Sequence, residues 1–178
     1  MAPLFRPARG FTLIELVLVM VIVGVLGAIG AARFFDRATY DAAAYTDQMR
    51  ALIRYGQKVA IAQNRPVFVR LNGSNIALCF SGVACADADK VRPGSGNAGN
   101  AGSGGCGGVA WACEPVPSGV VYHSGAVAAF YFDQLGRPCA ATDAFGVANP
   151  SFQQLTINVT GDSTTRAIVV EQETGYVH

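Results

Sequence analysis

Gly10-Phe11-Thr12-Leu13-Ile14-Glu15 opens an apolar run that continues almost unbroken to Ala32. Between Phe11 and Ala32 the only clearly polar side chains are Thr12 and Glu15. About 20 apolar residues in a row are enough to cross a bilayer as a helix, so the downstream chain reads as a domain attached to a membrane-competent stem. Ahead of the run, Arg6 and Arg9 make a short basic leader. No small-x-small cleavage site follows the apolar core, which separates the stretch from an ordinary secretory signal. A cut between Gly10 and Phe11 would instead remove the leader and keep the helix.

Glu15 stands out on physical grounds alone. A carboxylate at the centre of a membrane helix costs about 2.5–3.5 kcal/mol on insertion scales, so an intramembrane acid is expected to be paired or functional. The plain alternative is a glutamate snorkelling to the interface from an ordinary anchor. Gly24, Gly27 and Gly30 recur at three-residue spacing in the same run, and glycines in membrane helices permit close approach of a second helix. No proline interrupts the run, so no proline kink is expected near Ala32.

With 178 residues, the chain has room for one compact domain plus an anchor. Its formal charge is +1, and loss of Arg6 and Arg9 with the leader takes it to −1. That balance argues against nucleic-acid binding driven by net charge. The 51% apolar content is inflated by the stem and by many alanines, and no second run reaches membrane length.

After Ala38 the small or apolar positions Ala42, Tyr45, Met49, Leu52, Gly56 and Val59 follow at spacings of four and three, one stripe along a helix. Asp41, Asp47, Arg50, Arg54 and Lys58 fall between them and are expected to face water. Gln63-Asn64-Arg65-Pro66 ends the helix, because proline disfavours helical geometry in the residue before it. A helix from Phe11 to about Gln63 is roughly 80 Å long at 1.5 Å per residue.

Beyond Pro66 the period becomes two. Val67, Val69 and Leu71 share one face, and after Asn72-Gly73-Ser74-Asn75 the residues Ile76, Leu78 and Phe80 share another, a hairpin signal. Further strands are expected at Gly119 to His123, Val127 to Phe132, Leu155 to Thr160 and Thr165 to Glu171, with a short last strand after Thr174-Gly175. A long helix followed by six or more strands without βαβ rhythm is an α+β pattern: a mostly antiparallel sheet or sandwich with the second half of the helix packed on it. The expected divisions are a leader at 1–10, a membrane or filament-core helix half at 11–32, an amphipathic half at 33–65 and a β-rich region at 66–178.

The head of the stem resembles the type IV prepilin family, in which Gly, Phe and Thr-Leu-(Ile/Val)-Glu lead a hydrophobic helix. Two further stretches are similar to the minor pilin and pseudopilin branch that includes GspH and FimT. They are the helix-to-strand junction Arg54 to Val67 and the run Phe132-Asp133-Gln134-Leu135-Gly136-Arg137-Pro138, joined by Arg166 to Val170. Arg33-Phe34-Phe35-Asp36-Arg37 most resembles the minor pilins of MSHA-type systems.

The resemblance implies cleavage by prepilin peptidase between Gly10 and Phe11 and N-methylation of Phe11. It also implies pairing of Glu15 with the new amino group on Phe11 of a neighbouring subunit. The chain would then be a structural subunit, held once across a bacterial inner membrane with its β-rich domain in the periplasm. From there it would be assembled with other pilins or pseudopilins, through an inner-membrane platform, into a type IV pilus or a type II secretion pseudopilus. The alternative is a tip subunit that binds a ligand or captures DNA. The C-terminus, Glu173-Thr174-Gly175-Tyr176-Val177-His178, lacks the arginine pair that phosphate contacts would use, so nucleic acid is not expected as a partner.

A periplasmic domain permits disulfides. Proximity favours Cys79 with Cys85 and Cys106 with Cys113, leaving Cys139, which otherwise replaces a member of either pair. Zinc is the competing reading, but no C-x-x-C pair is present and only His123 and His178 offer nitrogen. Residues 87–108 read as an exposed, flexible Gly-rich loop. Its G-x-G-x-x-G at Gly94, Gly96 and Gly99 has no strand leading in and no helix following, so it lacks the helix terminus that binds phosphate. No catalytic motif, metal or cofactor is expected: His123 reads as a strand residue, Asp133, Asp143 and Asp162 as turn residues, and Tyr122, Phe130, Tyr131 and Phe132 as sheet builders.

Overall fold

The structure is a computed structural model in which residues 11–35, 37–82, 85–94, 105–107 and 111–178 are described, with the side chains of residues 29–35 left aside. The chain divides into two compact units, Met1–Arg37 and Ala38–His178.

The first unit holds helix α1, Leu13–Phe35. Thr12 caps it: its Oγ1 accepts the Glu15 N–H at 3.3 Å and its carbonyl accepts the Leu16 N–H at 3.2 Å. Asp36 lies outside the described residues.

The second unit is α+β. Helix α2, Arg37–Gln63, buries the expected stripe and the adjacent positions Thr46, Ile53 and Ala60. It ends in a Schellman motif. Asn64 takes a left-handed φ of +49°, its N–H reaches Ile61 O at 3.3 Å, and the Arg65 N–H reaches Ala60 O at 3.2 Å. Pro66 then releases the chain into strands.

The strands are β1 (Val67–Leu71), β2 (Asn75–Cys79), β3 (Cys113–Pro115), β4 (Val120–His123), β5 (Ala129–Phe132), β6 (Pro138–Ala140), β7 (Leu155–Gly161) and β8 (Thr164–Val170). They form an antiparallel five-stranded sheet, β3-β2-β1-β5-β6, and an antiparallel three-stranded sheet, β4-β7-β8. The inner faces of both sheets and the α2 stripe make one core around Tyr45, Met49, Ile53, Leu78, Phe130, Ile157 and Ile168.

In β1 and β2, Val69 pairs with Leu78 and Leu71 with Ile76. Directly opposed residues lie on the same side of a sheet, so the two apolar rows assigned to separate faces share one, against α2. Phe68, Ala77 and Cys79 occupy the other face, where Tyr131, Cys139 and Trp111 bury them in a second cluster. The hairpin turn is held by Asn72 Oδ1, which accepts the Ser74 and Asn75 N–H groups at 3.0 and 2.8 Å.

The C-terminal tail returns along β8. Val169 and His178 exchange both backbone hydrogen bonds, at 2.8 and 3.0 Å, and Val177 is buried.

Asp143 ties the end of β6 to the segment that leads into β7. Its Oδ2 accepts the Ala140 and Ser151 N–H groups, each at 2.9 Å, and its Oδ1 accepts the Ser151 hydroxyl at 2.6 Å. The Ser151 hydroxyl above all, with the two backbone donors, holds the Asp143 carboxyl below its ordinary value. The folded state therefore gains stability above the unfolded pKa and loses it as pH falls through the depressed one. Ser151→Ala should raise the Asp143 pKa in a carbon-detected NMR titration and flatten the acid limb of the stability profile. An unchanged titration would mean that the hydroxyl contributes nothing.

Candidate functional site

Every described side chain of the stem, Phe11 to Ala28, is exposed. Phe11 is 76%, Leu13 83%, Met20 68% and Leu26 62% exposed. A helix that is apolar on all sides is ordinarily covered by protein or lipid. Burying one Val, Leu or Ile is worth about 1.5–3 kcal/mol, so covering half of these side chains is worth on the order of 10 kcal/mol. The driving force for taking it out of water is large.

Glu15 sits in the first turn of α1, three residues after the Thr12 cap. There the positive end of the helix dipole favours a carboxylate. Gly24 and Gly27 have nothing within 4 Å of where a Cβ would stand, so the helix surface is open at both. Among the described residues no helix is long and apolar enough to cross a membrane. Part of the expected span, residues 29–32, lies outside the described side chains, and Gly10, the residue before the expected cut, lies outside the described residues.

The cysteines pair as Cys79–Cys85 and Cys106–Cys113, and Cys139 is free and buried. Cys139 stands opposite Tyr131 in the β5–β6 ladder, and burial pushes its thiol up from its ordinary value, which keeps it protonated and unreactive.

Of the Gly-rich segment, residues 87–94 and 105–107 are described, and its near flank is anchored. Lys90 bridges to Cys79, Val91 is 1% exposed in the core, and the Val91 N–H reaches Leu78 O at 3.2 Å. Gly94 is described, whereas Gly96 and Gly99 lie outside the described residues.

His123 is an exposed strand residue opposite Asn158. Among the described residues no three His, Cys, Asp or Glu gather as metal ligands. Asp133 is buried in the turn between β5 and β6 and Asp162 sits at a φ of +56° between β7 and β8. Tyr122, Phe130, Tyr131 and Phe132 are all buried.

Residues 5–31 match the prokaryotic N-terminal methylation motif. Over 60 residues the chain is 40% identical to the type IV narrow pilus major component PilA5 of Thermus thermophilus, covering 34% of this chain and 52% of that protein. The chain therefore spans about half the length of this curated relative. Two crystal forms of the type IV minor pilin FimU of Pseudomonas aeruginosa PAO1 overlap with TM-scores of 0.48 and 0.46 at 12% identity. The overlaps cover 80% and 79% of this chain and 87% and 90% of theirs.

Proposed function

We propose that this chain, which carries an N-terminal methylation motif and is homologous to a type IV pilin, is a minor pilin or pseudopilin. Prepilin peptidase cuts between Gly10 and Phe11, and Phe11 becomes the N-methylated terminus. Residues 11–32 hold the protein in the inner membrane with the Ala38–His178 unit in the periplasm. The assembly platform then transfers it, alongside other pilins or pseudopilins, into a type IV pilus or type II secretion pseudopilus. Its role there is structural and not catalytic.

The observation that carries this reading is the uncovered apolar helix headed by Phe11 and Glu15. Lipid covers it before assembly and neighbouring stems cover it afterwards, so transfer between the two exchanges one apolar environment for another. Glu15 makes that exchange selective. Its carboxylate is costly in hydrocarbon and is neutralised when a neighbour's Phe11 amino group lies beside it.

Mass spectrometry of the mature N-terminus, in membranes with and without the peptidase, tests the reading. A methylated Phe11 terminus that requires the peptidase is expected. Glu15→Ala should still be cut but should be missing from sheared filaments. An intact Met1 terminus despite active peptidase would overturn the assignment.

A further inference from the structure

Arg70 stands on the outer face of the five-stranded sheet, opposite Ala77 on β2 and Ala129 on β5. Directly opposed side chains on one face sit about 5 Å apart, so an alanine on each side leaves free space along the arginine stem. Beside it is a cavity of about 190 Å³ walled by Asn75, Cys85, Lys90, Gly105 and Trp111. Two of these walls are pinned covalently, Cys85 through Cys79, and Gly105 through the neighbouring Cys106–Cys113 bridge.

Among the described residues, the charged groups lining the cavity are both cationic, Arg70 and Lys90, and no carboxylate lines it. Lys90 is partly satisfied by Asp87 at 2.8 Å, whose carboxylate is 76% exposed, and lies 4.5 Å over the Trp111 ring. No hydrogen bond or ion pair from the described residues reaches the Arg70 guanidinium, although the residue is half-buried. A partly desolvated guanidinium with its planar fork of donors unused is matched to an oxyanion.

We propose that this pocket binds a single oxyanion group, a carboxylate or a phosphate, with Arg70 as its main donor and Lys90 as the second charge. The cavity takes one such group and the few atoms that carry it. Free phosphate and the carboxylate of a uronic acid sugar present the same chemistry, and the disulfide-pinned walls hold the donors in place before either arrives.

Trp111 is the only tryptophan in the chain and lines this cavity on one side and a second cavity, against Tyr55 and Pro93, on another, so the Arg70 variants decide which of the two a fluorescence change reports. The full chain in detergent micelles would be titrated with inorganic phosphate and, separately, with glucuronate, at constant ionic strength balanced by chloride. A saturable change with at least one probe is expected, and the tighter probe identifies the source. Arg70→Gln should weaken binding by about tenfold or more. Arg70→Lys, which keeps the charge and loses the fork, should fall between. Both variants should keep the wild-type circular dichroism, since the Arg70 guanidinium has no partner among the described residues. The absence of a saturable response to both probes, or an equal response in Arg70→Gln, would overturn the proposal.

Discussion

Gly161→Val is expected to destabilise the folded unit by about 3 kcal/mol, at the upper end of the usual range for overpacking. Gly161 ends β7, pairing with Val120 on one side and Thr164 on the other. A Cβ built there runs into the Ala38 carbonyl oxygen and stands 2.6 Å from the Ala42 Cβ. Neither neighbour yields easily: one is helix backbone, the other a methyl that is 1% exposed. Relief requires moving α2 or the strand, and both belong to the one core. Gly146→Ala is the control. Its φ is +77° with open space around it, so only the backbone preference is lost, at about 1 kcal/mol. Thermal melts should therefore fall by roughly 10 °C for Gly161→Val and about 3 °C for Gly146→Ala. Similar small shifts for both would mean that β7 does not approach the first turns of α2 as closely as the structure has it.

What the sequence foretold and what it hid divide along the range of the interaction concerned. The β1–β2 hairpin, the α2 stripe and the stop at Asn64-Arg65-Pro66 depend on neighbours within a few residues, and periodicity and turn chemistry expose them. The two three-residue strands, β3 and β6, escaped notice because they are too short to alternate and contain Pro115 and Pro138. They are the two edges of their sheet, where a missing N–H is tolerated. The pairing of β1 with β5, about sixty residues on, has no local signal either, and it decides much of the chemistry. It sets Arg70 between two alanines and, through β5–β6, puts Cys139 against Tyr131. An arginine in an alternating strand looks ordinary until its cross-strand partners are known. The disulfides were within reach because each closes a short loop, with partners six and seven residues apart. The stem was the clearest stretch of all, since its composition alone sets it apart.

Asp133→Ala is expected to cost about 3–5 kcal/mol, because two turn N–H groups and the Arg137 guanidinium lose their acceptor together, at about 1–3 kcal/mol for each buried group left unsatisfied. Asp133 is 3% exposed. Its Oδ1 accepts the Leu135 and Arg137 N–H groups at 2.9 and 2.8 Å. Its Oδ2 takes the Arg137 guanidinium through Nε at 2.9 Å and Nη2 at 2.8 Å. Truncation thus strips four donors at once. Two of them are backbone groups in a turn that has no other acceptor for them among the described residues. The reciprocal variant should be milder. Arg137 is 34% exposed, so Arg137→Ala opens Asp133 Oδ2 to water while Oδ1 keeps its two backbone donors, and the bonds of Arg137 to Ala148 O and Val147 O, at 3.2 and 3.3 Å, are lost with it; about 1–2 kcal/mol is expected. The same turn presents Gly136 O to Gln57 Nε2 at 2.8 Å, and Gln57 also donates to Thr174 O at 3.0 Å. On the adjacent turn of α2, Arg54 holds Val177 O with two nitrogens at 2.6 and 3.0 Å. Loss of Asp133 should therefore loosen the C-terminal tail as well, and the Val169 and His178 amides should exchange hydrogen faster in Asp133→Ala than in Arg137→Ala. Equal costs for the two variants would mean that the ion pair, and not the capping of the turn's backbone, dominates what Asp133 contributes.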